Sequence, residues 1–579
     1  MSTWSSRATA VIALSMTTAA CGDGCDPSLP LEATPTIGSV PSSTAALQRA
    51  SLLDAELSNP APYIPPQCYT KTRDEDGSVH NPCFTCHTRP QRPNFVDDQV
   101  LQRSYDFPAP ARENRWASLF VDRRPLVAAI SDDDVLAHVR SSNYRRDDRL
   151  LLAEALASLP AVWDVDGDGR WGGYVPDAYF EFDAEGFDRD PSGAPTGWRA
   201  YGYHPFPGVF FPTNGSAGDV LIRLAPEYRQ RLDGTYDVRI YRVNLAVVEA
   251  LIKRRDVAIE AVDETALGVD LDRDGAEGPA TKVAFTEDAE GMAYVGKAGL
   301  AQRAGEMVLQ PGLFPRGTEL LHSVRYLDVV DGDVVMGARF KELRYAHKAA
   351  WTSGDKLEKL AAAEALEERD YPDRLEKVMG EPEHGLSNGR GWLYQGFIED
   401  AGGALRPQTF EESAFCMGCH GRIGATTDSV FSFPRKLDGS GHARGWFHWT
   451  QRGLRGLAEP KGQDGRYEYT FYLEQNGAGD DLRDNAEVIE RFFDGNDLRP
   501  AALARLHDDI AELLVPSPER ALVLNKAYLT IVRAQSFVEG RDATVSPAVR
   551  VHRRVAPNEP TGVTEPVAAP LGPPLRPSQ

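Results

Sequence analysis

Leu321-His322-Ser323-Val324-Arg325-Tyr326-Leu327-Asp328-Val329-Val330 mixes apolar and polar residues at a spacing close to two. That is the pattern of a half-buried strand, whose successive side chains point to opposite faces. Tyr236-Asp237-Val238-Arg239-Ile240-Tyr241 alternates more strictly and reads the same way. With the Gly and aromatic residues around them, these segments predict a β-rich region over 161–335. One helix is expected to interrupt it, at 245–253.

The flanks differ in character. Region 63–160 opens Pro-rich and irregular, then predicts a helix from Ser131. Ser131 can cap it, and Asp132, Asp133 and Asp134 sit at the positive end of its dipole. Region 336–553 reads as mostly helical. Phe340, Leu343, His347 and Trp351 fall on about one helical face, and Leu503, Leu506, His507, Ile510, Leu513 and Leu514 on another over 499–514. A further helix starts with Ser517 as cap and Pro518 at its first position, and stops near Gly540. The fold class is α+β, with mainly helical or irregular segments at both ends of a β-rich middle.

The outermost segments concern location. Residues 1–21 look like an export signal: Arg7 precedes the short apolar run 8–16, and Thr18-Ala19-Ala20 leads into Cys21. Thr18-Ala19-Ala20-Cys21 resembles a lipobox, which would make Cys21 a lipid anchor. The chain is then exported, to the periplasm, outer membrane or cell surface of a bacterium. Residues 22–62 read as a flexible tether and 554–579 as a disordered Pro-rich tail. The net charge of −22 argues against nucleic acid and against docking on anionic lipid. A partner steered by charge would present a basic face.

The chemistry lies in a pentapeptide that occurs twice, Cys83-Phe84-Thr85-Cys86-His87 and Cys416-Met417-Gly418-Cys419-His420. C-x-x-C-H is the attachment pattern of c-type haem: two thiols form thioethers with the porphyrin vinyls, and the His reaches the iron. The motifs resemble those of c-type cytochromes, a likeness confined to about ten residues. It implies two covalent haems on Cys83, Cys86, Cys416 and Cys419, with His87 and His420 as proximal iron ligands. The function so implied is electron transfer to a redox partner. The alternative is an enzyme of the dihaem peroxidase or oxygenase type, weakly resembled, with one open iron.

The second axial ligand is not a nearby Met. The first Met after His87 is Met292, and none follows His420. His322 and His347 are the leading candidates, with His138, His442, His448 and His507 behind them; His80 is too close to the first motif to reach the opposite haem face. Cys25 and Cys68 could share a disulfide, or Cys68 could stay free near the first haem.

Two stretches match the first half of a calcium loop: Asp164, Asp166 and Asp168 before Gly169, and Asp270, Asp272 and Asp274 before Gly275. Alternate carboxylates can converge on one hard cation. Val175 and Thr281 stand where the twelfth-position acid belongs, so Ca²⁺ would need a ligand from elsewhere, such as Asp177 or Glu277.

Overall fold

The computed structural model describes residues 50–52, 59–89, 91–95, 101–209, 212–420, 423–438, 442–477, 482–483 and 485–568. The signal, Cys21, Cys25 and most of the tether lie outside these residues.

The molecule is a mixed α/β fold around one large antiparallel sheet of nine strands. In chain order they are β1 (Phe187–Arg189), β2 (Pro195–Tyr201), β3 (Ser216–Arg223), β4 (Glu319–Val330), β5 (Asp333–Lys348), β6 (Met379–Glu381), β7 (Gly385–Ser387), β8 (Trp392–Glu399) and β9 (Leu405–Pro407). Their order in space is β6-β7-β8-β5-β4-β3-β2-β1, with β9 paired to β8. The expected strand at 321–330 is the core of β4.

The sheet is not confined to the expected middle region. β5 spans 333–348, so the boundary at 335/336 falls inside the β4–β5 hairpin, and β6 to β9 all lie beyond it. The helix expected around His347 is therefore strand. Spacings of three and four fit a helical face, and pairing on both edges overrode them for strand.

Register separates the two faces. Leu320 pairs with Ala346, His322 with Arg344 and Val324 with Glu342. Those residues share one face, because side chains alternate. Leu321, Leu343, Phe397 and Trp198 pack on the other face against Tyr144, Leu152 and Trp163. On the first face Ile222, Leu320, Ala346 and Trp392 join α2 (Val238–Lys253).

Helix α2 corrects the second strand expectation. Asp237 accepts from the Arg239 N–H and starts a helix at Val238, well before residue 245. Tyr241, Leu245, Val248 and Leu251 then recur at helical spacing and are buried. A six-residue alternation can equally be the first turns of such a helix.

Helix α1 (Asp132–Arg140) starts as expected, with Ser131 Oγ accepting from the Asp134 N–H at 3.1 Å. It packs Val135 and Val139 against Tyr326, Ile398 and Ala527. The single helix expected over 499–514 is two, α5 (Pro500–Asp508) and α6 (Ala511–Leu514), after α3 (Phe410–Ala414) and α4 (Met417–His420). Helix α7 (Pro518–Ala534) starts at Ser517 as expected but ends at Gln535, which adopts a left-handed conformation. Residues 554–568 do not run free. Val555 and Val563 are buried, and Val567 pairs with Thr88 beside the first pentapeptide. Residues 569–579 lie outside the described chain.

Candidate functional site: one cavity between two pentapeptides

Both pentapeptides line one cavity of about 630 Å³. Its floor is the first face of the sheet, with Leu320, His322 and Val324 from β4 and Glu342, Arg344 and Ala346 from β5. The opposite wall carries Cys83, Cys86 and His87, then Cys416, Cys419 and His420.

Local capping shapes each motif. Asn81 accepts from the Cys83 N–H at 3.1 Å and opens a 3-10 turn over Pro82–Thr85. The same Asn81 donates to the Thr561 carbonyl at 2.8 Å. The second motif follows α3, whose Thr409 and Glu412 form a reciprocal capping box.

Two glycines let the motifs meet. A Cβ on Gly418 would lie 2.7 Å from the Tyr63 carbonyl oxygen, and one on Gly424 would lie 2.4 Å from the Thr88 carbonyl oxygen. Backbone cannot yield as a side-chain tip can. We expect Gly424→Ala to cost about 1–3 kcal/mol, the usual range for forced overpacking. Denaturant unfolding checks this, and an unchanged midpoint would refute the close approach.

Cys416, Cys419 and Cys68 carry free thiols, and Cys68 also lines the cavity. His420 Nδ1 lies 3.1 Å from the Ser429 carbonyl oxygen, which can only accept. The neutral ring therefore keeps its lone pair on Nε2. Burial drives both His87 and His420 down to about 4, so both are neutral imidazoles near pH 7. Tyr394 packs its ring 4.9 Å from that of His420.

Of the leading axial candidates, the structure brings only His322 to the cavity. Burial and the nearby Arg344 hold its pKa down to about 3. His347 pairs with Glu319 and Leu393 on the opposite side of the pleat and is not on the cavity wall. His138 meets Glu399, His448 meets Asp219, and His507 stacks on Tyr467. His80 lies against Asp74 and Arg550, and His442 packs on Phe447.

Sequence reading missed the charged floor. Glu342 Oε2 accepts from Arg344 Nε at 2.9 Å and from Arg541 Nη1 at 3.0 Å. Burial alone would raise Glu342, but these two guanidiniums hold it at about 2. Lys341 donates to the Gly215 carbonyl at 2.8 Å and to Ser216 Oγ at 3.0 Å, and burial lowers its pKa to about 7. No spacing in the sequence marks these residues, because the sheet and residues 541–543 assemble them from distant positions.

The acidic loops lie away from the cavity. Carboxylates of Asp164, Asp166 and Asp168 converge within 4.8 Å. At the second loop the converging group is Glu264, Asp270 and Asp272, with Glu264 in place of Asp274. Glu264 accepts from the backbone N–H groups of Leu271 and Gly278. Neither completing ligand expected from sequence belongs to these groups. Asp177 instead accepts from Trp198 Nε1 at 2.8 Å and pairs with Arg223.

The buried histidines set a pH dependence. His87, His204, His322 and His420 are all lowered, first by burial, to between about 3 and about 4. The unfolded chain then binds more protons than the folded one between about pH 4 and the ordinary histidine value of 6.5. Stability therefore falls as pH drops below 6.5, by about 1.4 kcal/mol per pH unit for each such proton. Asp188 and Glu459, raised by burial to about 6 and about 7, and Asp400 and Asp428, also raised by burial, act in the opposite sense, but burial lowers His80, His347, His448 and His552 as well. Urea midpoints measured on the cofactor-free chain from pH 7 to pH 5 should decrease. A flat profile would show that these imidazoles are not buried.

The comparisons with known proteins place the chain in a class and then a family. It is an exported, lipid-anchored protein of the bacterial envelope. No helix among the described residues is long and apolar enough to cross a membrane. A family model described only as “-like lipoprotein” matches residues 52–509, and the chain belongs to that family. An uncharacterized lipoprotein of Aquifex aeolicus (strain VF5) is 30% identical over 545 residues, covering 85% of this chain and 87% of that protein. No solved structure matches.

This corrects the reading taken from the pentapeptides. The match that spans the chain is to a lipoprotein family and not to a cytochrome family. The assignment as a dihaem c-type cytochrome that transfers electrons falls, with its peroxidase or oxygenase alternative. A likeness of about ten residues had been extended to a whole protein.

Proposed function

We propose that this envelope lipoprotein is a cofactor-holding protein, and that its cavity seats haem joined covalently to the two C-x-x-C-H motifs. The observation that supports this most is that both motifs, distant in sequence, line the same chamber. The lining suits a porphyrin: Phe206, Val209, Phe415, Val430 and Phe431 are apolar, and two neutral imidazoles and free thiols face the same space. Cys83, Cys86, Cys416 and Cys419 would hold the groups, and His87 and His420 would face the irons. A bound haem would supply an iron able to take axial ligands. The protein's own part is to orient His420 through Ser429, to keep both imidazoles neutral, and to limit water through the residues that close the chamber.

The test is the intact mass of the full chain made with and without haem-attachment machinery. Two haem masses per chain support the reading. An unmodified chain from the competent host overturns it.

A further inference from the structure

The floor of the cavity carries an unbalanced positive charge. Glu342 is the shared partner of Arg344 and Arg541. Arg483, also on the wall, pairs with its own acid, Asp542. Lys341 is held by neutral acceptors, the Gly215 carbonyl and Ser216 Oγ. Glu399, the next carboxylate, is taken by Arg339 and Tyr326. Glu412, whose backbone carbonyl accepts from Arg541 Nη2, spends its carboxylate on Arg406. One carboxylate thus serves two guanidiniums at the cavity surface.

A second observation points to a missing acceptor. Arg541 is only 9% exposed, and its Nε is buried with no hydrogen-bond partner among the described residues. A buried donor left without an acceptor is unfavourable. The Arg344 side chain is 33% exposed, and it lies on the cavity wall, so its open surface faces the chamber. Guanidinium groups are planar forks that match carboxylate geometry.

We infer that Arg344 and Arg541 form an anion subsite in the cavity, which takes one carboxylate or small planar oxyanion of single charge. The carboxylate can come from a free small molecule or from the propionate of a haem in the same chamber. The first source stands without the haem reading; the second rests on it, and haem content is read separately by mass.

The experiment is calorimetric titration of sodium formate, at low ionic strength, into the full chain in haem-loaded and haem-free forms. Binding to both forms assigns the subsite to a free anion. Binding to the haem-free form alone assigns it to a propionate. In the form that binds, Arg541→Gln should weaken formate at least tenfold and Arg344→Gln similarly, whereas Glu342→Gln should tighten it severalfold. Thermal melts of each variant separate loss of binding from loss of fold. Absence of binding in both forms, or binding that neither arginine variant weakens, overturns the inference. If the haem-free chain does not fold, a formate-soaked crystal of the loaded protein decides. A carboxylate of either origin against Arg541 supports the subsite, and water alone there overturns it.

Discussion

Replacing Cys83 and Cys86 by Ser should remove one haem from a chain made in a host that attaches haem, and replacing Cys416 and Cys419 should remove the other. Each double variant then carries half the haem of the parent, and the quadruple variant carries none. The reason is covalent: without the thioethers nothing survives a denaturing gel, whatever the imidazoles do. Equal haem in parent and variants would mean that the thiols are not anchors.

The second large effect concerns the loop that orients His420. Lys348 and Asp428 form an ion pair at 2.6 Å with side-chain exposures of 0% and 1%. Asp428 also accepts from the Phe314 N–H at 3.0 Å. Both Asp428 and Ser429 have positive φ, at 49° and 64°, a conformation that needs support from its surroundings. The Ser429 carbonyl is the one that His420 Nδ1 meets. Lys348→Met leaves a buried carboxylate whose pKa burial already pushes up. We expect a loss of about 3–5 kcal/mol. Asp428→Asn in the same chain should restore most of it, because no lone charge remains. Denaturant unfolding of the single and double variants measures the difference. A single variant as stable as the parent would refute the pair.

Some of this was legible in the sequence. The β4 strand announced itself by alternation, and the caps at Ser131 and Ser517 by residue type, because those signals are local. His347 was misplaced because its neighbours recur at helical spacing, and hydrogen bonds to β4 and β8, far apart in the chain, overrode that local signal. The meeting of the two motifs was invisible. It depends on Gly418 and Gly424 approaching the backbone of Tyr63 and Thr88, contacts that no pattern in either segment encodes. The Arg344–Glu342–Arg541 cluster was hidden likewise, since Arg541 arrives from beyond α7.

The pairing of Val567 with Thr88, and of Thr561 with Asn81, has a consequence for the order of assembly. A polypeptide exported from its N-terminus presents Cys83 and Cys86 to the new compartment early. The segment that clamps them lies 480 residues further along and crosses later. Until it arrives Asn81 and Thr88 lack these partners, so the first motif is held less firmly. Residues 561–567 work as a latch, and a chain cut before residue 561 would leave the first motif unclamped.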